Sequence, residues 1–373
     1  MSRKFFPVFA LLIVLSMVLA ACGAPAAPAT EAVAEEAAAE PAAEEAAAEP
    51  AAEEAAAAEP GETEGPAPAA SGDTLATVKE RGVVICGGNA SVPGFGFLDE
   101  EGNFAGFDID FCKAVAAAVL GDAEAYEIRP LSSQERFTAL QSGEIDVLIR
   151  NTTWTLSRDT DLGANFTATT FYDGQGFIVR VADGIETLED LDGGTVCVQT
   201  GTTTEANLAD VMAARGISYE PVVYEDVETG WTTYEEGRCD AYTTDKSGLV
   251  SRRTLLTVPE DHVIMDETIS KEPLGPVVRH GDDQWFDIVQ WTVFATFFAE
   301  EQGITSANAD DIMASTVNPS EKKFFGTEGE LGAFLGLEAD WAYNIVSQVG
   351  NFEEIYNRNL GPDTLTYIPR GLN

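Results

Sequence analysis

Three places in this 373-residue chain combine residue types and spacing that could hold a charged ligand. Arg158 lies shortly past a strand-like run that ends at Ile149. Its planar guanidinium can grip both oxygens of a carboxylate at once, which lysine cannot do; a surface ion pair with Asp159 or Asp161 is the plain competing use. Asp245 directly follows the strand-like run 239–244, and Thr202-Thr203-Thr204-Glu205 opens a helical stretch. Thr202 and Glu205 fit a capping box, which puts Thr203 in the first helical turn, where backbone N–H groups favour an anion. An ordinary capped helix has the same pattern. The Gly-Lys-Ser/Thr ending of a phosphate loop is missing there, so nucleotide binding is not indicated. With only two histidines, His262 and His280, and no CxxC spacing, the chain has little material for histidine catalysis, thiol redox chemistry or a zinc site. No metal or cofactor is expected.

The elements that must position these groups form two similar series. Helical 75–82, ending in Gly82, leads into an apolar strand 83–86; a helix opens at 107 and stops at Gly121; strand 126–129, helix 136–142 and strand 145–149 follow. The second series has strand 195–198, helix 205–214, strand 221–224, helix 231–236 and strand 239–244. Strands alternating with helices at this spacing imply βαβ units and a mostly parallel sheet in each series, hence an α/β fold with two lobes. From Trp285 onward the chain is helical, and Trp291, Phe294, Phe297, Phe298, Trp341 and Tyr343 are expected to pack a core.

The formal net charge of −42, from 63 acidic and 21 basic residues, argues against nucleic acid or another polyanion as partner. Arg3 and Lys4 followed by an apolar run from Phe5 to Ala20 read as an export signal too short to span a membrane. Leu19-Ala20-Ala21-Cys22 matches a bacterial lipobox, so residues 1–22 are expected to be a lipoprotein signal with Cys22 lipidated. Residues 23–72 are almost all Ala, Glu and Pro, with the unit EPAAEEAAA recurring from Glu40 and Glu49. Such a stretch has too little to bury to offset its own ordering entropy, and reads as an acidic tether. Four further cysteines, an even number in an exported chain, suggest disulfides. Of three pairings, Cys86–Cys112 with Cys197–Cys239 is favoured, each within one lobe; free buried thiols are the other reading.

Gly106-Phe107-Asp108-Ile109-Asp110, after Gly102-Asn103-Phe104, resembles the GxxxGFDxD stretch of polar amino-acid-binding proteins of solute-binding family 3. Asp146 to Thr155, Cys197 to Glu205, Gly237 to Asp245 and Asp340 to Val346 are similar to its general L-amino-acid-binding branch. The resemblance covers about residues 73–373. It implies a two-lobed periplasmic-binding-protein-like fold, with lobe 1 from 73–178 and 277–373 and lobe 2 from 179–276. The crossings are expected near 177–181 and 269–277, with Pro273, Gly275 and Pro276 suiting a stiff return.

The same resemblance implies the roles. Arg158 would grip the α-carboxylate of an L-amino acid, with Thr203 as its partner on lobe 2. Asp245 would pair with the ammonium, assisted by the Asn151 carbonyl and the Thr153 hydroxyl. A zwitterion bridging Arg158 and Asp245 would then drive lobe closure. Asn89, Ser91 and Phe137, with Arg136 or Arg150, would set side-chain selectivity. Gly88 and Ser91 replace the acidic and aromatic residues of basic-amino-acid binders, which suits a broad or an acidic and amide ligand set. The partners implied are the amino acid, the membrane subunits of an ABC permease, and the membrane through Cys22. A cyclic amino-acid dehydratase on the same scaffold and an amino-acid sensor are the alternatives.

Overall fold

The computed structural model describes residues 72–373. The export signal, Cys22 and the acidic stretch to residue 71 lie outside the described residues. Among the described residues no helix is long and apolar enough to cross a membrane.

Two five-stranded sheets repeat one plan. In the first, the order is Tyr126–Pro130, Val84–Gly88, Val147–Leu148, Val277–Arg279, Ala164–Phe166, and in the second Tyr219–Tyr224, Gly194–Gln199, Ala241–Asp245, Gln175–Arg180, His262–Ile264. In each, the first three strands run parallel and the last two join antiparallel. The central strand Val84–Gly88 is nearly all buried, as a parallel strand covered on both faces must be. Val277–Arg279 brings the late part of the chain back into the first sheet, so that lobe is built from both ends of the fold.

The expected helices and parallel strands form with end shifts of a few residues. Helix Thr203–Arg215 starts at Thr203, capped by the Thr202 hydroxyl, which accepts from the Glu205 N–H at 3.1 Å. The reciprocal half of a capping box is absent here, because the Glu205 carboxylate accepts from Gly201 N–H instead. Helix Val227–Glu235 begins earlier than the expected 231, since the Asp226 side chain caps it. The first crossing differs from expectation: residues 177–181 fall mostly within the buried strand Gln175–Arg180 of the second sheet. The crossing pair is instead Phe171–Asp173 against Glu272–Leu274, whose backbones hydrogen-bond as a two-stranded ribbon. A Cβ at Gly275 would lie 2.5 Å from the Ala168 carbonyl, so this return strand admits only glycine at that point.

Cys86 bonds Cys112, tying the central strand to helix Phe107–Leu120, and Cys197 bonds Cys239 in the second lobe. The largest apolar core lies in the first lobe, where Phe107 meets Phe95, Phe111, Phe171, Phe352 and Tyr356 mostly edge to face. The C-terminal aromatics pack as expected with one exception. Trp291, on helix Asp283–Glu301, is 49% exposed and lines an apolar groove with Phe334 and Leu331, because it lies off the helix face that buries Ile288, Thr292 and Ala295.

Candidate functional site

The sheet order itself marks where a ligand can sit. In each lobe the chain passes from the central strand to one side and then crosses to the other, so a crevice opens at the carboxyl ends of the central and third strands. Asn89 follows the central strand of lobe 1, and Arg150, Asn151 and Thr153 follow its third strand. Gln199 ends the central strand of lobe 2, Thr202, Thr203 and Thr204 follow it, and Asp245 ends its third strand. All of these line one cavity between the lobes.

Arg158 sits on the short helix Leu156–Thr160, with its guanidinium donating to the Thr153 carbonyl at 2.9 Å. Arg136, at the start of helix Glu135–Ser142, is 3% exposed, and its Nε has no hydrogen-bond partner among the described residues. Arg150 donates to the Leu131 carbonyl at 2.7 Å and to the Ser133 hydroxyl at 3.3 Å. Among the described residues none of the three pairs directly with a carboxylate. Burial, and repulsion from Arg158 and Arg150, hold Arg136 well below the usual arginine range; burial first and Arg158 second take Arg150 down to about 10. Arginine keeps its proton nonetheless, so the cavity holds a buried cluster of positive charge that a bound anion would offset.

The acidic side of the cavity is Asp245. Burial pushes its carboxyl well up, and the neighbouring Asp173 and Glu272 push it further; Arg158 and Arg136 pull the other way. Glu272, on the return crossing strand, accepts from the Thr203 hydroxyl at 3.2 Å and from Asn207 at 2.8 Å, which ties the crossing to the head of helix Thr203–Arg215. The cavity therefore offers guanidinium groups and a helix N-terminus to anionic groups, and a carboxylate to a cationic one. Burying either end of a zwitterion unpaired would be costly, and this arrangement supplies partners for both.

Of the expected site residues, Asn89, Asn151, Thr153, Arg158, Thr203 and Asp245 line the cavity, as do Arg136 and Arg150. Phe137 and Ser91 do not line it. The Phe137 ring supports Arg136 at 5.1 Å and Arg158 at 5.4 Å from below. Ser91 lies at the cleft mouth, where its carbonyl accepts from Arg252 at 2.7 Å. Sequence reasoning missed Trp231, Tyr242 and Arg252, which also line the cavity. Arg252 pairs with both carboxylate oxygens of Glu228 and lies 5.7 Å from the centre of the Trp231 ring. Its spacing of seven residues from Asp245, two helical turns on, was the available signal. Among the described residues no group of three or more histidines, cysteines or carboxylates could hold a metal ion.

A family profile described as bacterial extracellular solute-binding proteins, family 3, matches residues 84–300. The general L-amino acid-binding periplasmic protein of Rhizobium johnstonii is 54% identical over 309 residues, 82% of this chain and 90% of that protein. The glutamate/glutamine/aspartate/asparagine-binding protein of Rhodobacter capsulatus is 51% identical over 307 residues, 82% of this chain and 91% of that one. Among solved structures, an ABC transporter periplasmic binding protein from Brucella ovis with glutathione bound superposes with a TM-score of 0.78 at 49% identity, covering 81% of this chain and 95% of its own.

Proposed function

Because the chain belongs to family 3 of the bacterial extracellular solute-binding proteins, we propose that its cleft holds the zwitterionic end of an L-amino acid and prefers side chains ending in a carboxylate or an amide. The protein is an extracytoplasmic amino-acid-binding component of an ABC-type importer. Arg158 takes the α-carboxylate together with the N-terminal N–H groups at Thr203. Asp245, the Asn151 carbonyl and the Thr153 hydroxyl take the ammonium. Closing the lobes on these groups delivers the occupied form to the permease.

The observation that carries the preference is Arg136, buried beside Arg150 and lining the cavity, whose Nε has no hydrogen-bond partner among the described residues. One α-carboxylate satisfies Arg158 and leaves Arg136 still without an acceptor; a side-chain carboxylate or amide oxygen supplies it. The ligand set named for the Rhodobacter capsulatus relative has this chemistry. Glutathione, bound in the Brucella ovis structure, presents the same zwitterion on its γ-glutamyl end.

Calorimetry with a panel of L-amino acids and glutathione tests the reading. Glutamate, glutamine, aspartate and asparagine are expected to bind most tightly and to be recovered unchanged. Tight binding of lysine or arginine alone would overturn the preference, and conversion of a ligand to product would favour an enzyme. The two histidines are poorly placed for such chemistry: neither His262, bonded to Tyr234, nor His280 lines the cavity.

Attachment to the membrane through a lipidated Cys22 is part of the same proposal, supported by Leu19-Ala20-Ala21-Cys22 directly after the apolar run. Mass spectrometry of the mature N-terminus reads it directly, and an unmodified Cys22 removes the anchor.

A further inference from the structure

Asp108 does not line the cavity, yet it is 5% exposed and its Oδ2 accepts from the Asn151 N–H at 3.0 Å. Asn151 has φ +37°, and among the described residues it is the sole non-glycine with positive φ. Asparagine enters the left-handed region more readily than most non-glycine residues, and neighbouring contacts hold it there. They are the Asp108 carboxylate on the backbone, and Asn89, which donates to the Asn151 side chain at 2.8 Å.

The turn so held carries Arg150, Asn151 and Thr153 into the cavity, and the Thr153 carbonyl in turn fixes Arg158. A slip of Asn151 to negative φ would swing its own carbonyl and displace all four groups. Asp108 is itself rigidly placed. It lies in the first turn of helix Phe107–Leu120, where a carboxylate is favoured. The preceding Gly106, at φ +131°, packs so close that a Cβ would sit 2.2 Å from the Phe95 carbonyl. One turn further on, Cys112 is bonded to Cys86 on the central strand. The Gly106-Phe107-Asp108 stretch thus supplies a close approach, a core anchor and an acceptor in three consecutive residues.

We propose that Asp108 is a positioning residue for the ligand site: as a hydrogen-bond acceptor it holds the Asn151 amide, and so keeps the 150–153 turn in the left-handed conformation that presents Arg150, Asn151 and Thr153 to the cleft. The ligand named in the test rests on the amino-acid reading above; the turn itself does not. Burial raises the Asp108 carboxyl to about 7, while the Asn151 N–H and the Arg150 charge pull it the other way; an oxygen that can accept from the Asn151 amide is present in either protonation state.

The experiment is a double-mutant cycle read two ways: hydrogen exchange over residues 150–153 without ligand, and calorimetry with L-glutamine. Asp108→Ala is expected to speed exchange in the turn and weaken glutamine binding about 10-fold, because Asn151 then loses the acceptor that holds it at positive φ. Asp108→Asn, whose amide oxygen can still accept, should stay within about 3-fold of wild type. Asn151→Gly takes positive φ without strain, so in that background Asp108→Ala should cost less than about 3-fold. Asp108→Leu, close to the carboxylate in shape, carries the same expectation as the alanine if that variant fails to fold. Equal losses in both backgrounds, unchanged exchange in the turn, or an Asp108→Asn loss as large as that of Asp108→Ala would each overturn the inference. Should wild type bind no amino acid while exchange responds and is rescued as described, the ligand reading fails and this one stands.

Discussion

The hydroxyl oxygens of Thr153 and Thr203 lie 3.4 Å apart across the cleft. One belongs to the turn after the third strand of the first lobe, and the other heads helix Thr203–Arg215 of the second. Ser133 and Gln199 meet the same way at 3.2 Å. These polar contacts between the lobes exist only when the cleft is shut. They bias the open–closed equilibrium toward the form that brings Arg158 and Asp245 to one cavity, and a ligand bridging those two groups adds to the bias.

Replacing Arg158 by alanine should weaken every amino-acid ligand by about 100-fold or more, because a buried carboxylate then loses its charged partner. Arg136→Met should act selectively. Glutamate and aspartate are expected to lose roughly 10- to 100-fold, glutamine and asparagine less, and alanine almost nothing. Calorimetric titration of both variants over the panel checks this. Equal losses for alanine and glutamate in Arg136→Met would remove that residue from side-chain recognition.

Stability without ligand should fall as pH rises from about 5 to 8. Burial raises the Asp108 carboxyl from 3.8 to about 7, and also raises Asp146, Asp173 and Asp245. A carboxyl with a raised folded value binds its proton more readily in the folded chain; its contribution is complete below the unfolded value and is lost as pH climbs through the folded one. His262, lowered by burial, runs the opposite way, one group against four. A drop in melting temperature of about 5 °C or more is expected across that window. Glutamine should flatten the profile, since its ammonium favours the charged form of Asp245. A ligand-free profile that rises with pH would contradict the burial of these carboxyls.

The parts of the site that the sequence made legible are those whose place follows from local pattern. Thr203 is located by its cap, Asp245 by the end of an apolar strand, and Asn151 and Thr153 by the strand that precedes them. Buried parallel strands are apolar runs with helices between, so their existence was readable even where their ends were not. Phe137 and Ser91 were not readable, because helix rotation decides whether Phe137 faces the cavity or props up a neighbour, and the short strand Ser91–Val92 is set by long-range pairing, neither of which local spacing reveals. The strands Gln175–Arg180 and His262–Ile264 escaped for a different reason. They join the second sheet antiparallel as partners far apart in sequence, and the latter is only 3 residues long. Arg252 was hard to pick out because its partners, Glu228 and Trp231 in its own lobe and the Ser91 carbonyl in the other, all lie far from it in sequence, and a spacing of two helical turns from Asp245 is a weak signal.

Removing the Cys197–Cys239 bond by paired serine substitution should cost about 3–4 kcal/mol, the loop-closure term for a separation of 42 residues. The bond joins the central strand of the second lobe to the residue just ahead of its third strand, on one side of the cleft. Ligand preference should therefore be unchanged while the melting temperature falls. Thermal melts with a parallel calorimetric panel separate the two readouts, and a shift in preference would mean that the bond acts on the site itself.

The cleft mouth carries contacts that should set how long a ligand stays. On helix Lys246–Arg253 of the second lobe, the Ser251 hydroxyl donates to the Pro93 carbonyl of the first, and Arg252 donates to the Ser91 carbonyl at 2.7 Å. Arg252 is held for this by Glu228, at 2.7 Å from the second nitrogen of its fork. Ser251 is buried outside the ligand cavity, so its loss cannot alter what the ligand touches. Ser251→Ala should speed dissociation of every amino acid by the same factor, about 3- to 10-fold for one hydrogen bond made only in the closed form, with association little changed. Arg252→Met should speed it more, and because Arg252 does line the cavity, unequally among ligands. Stopped-flow fluorescence is suited to the measurement, since Trp231 lines the cavity beside Arg252. Uneven factors among ligands for Ser251→Ala would show that this serine shapes the site, whereas unchanged dissociation would show that closure does not depend on it.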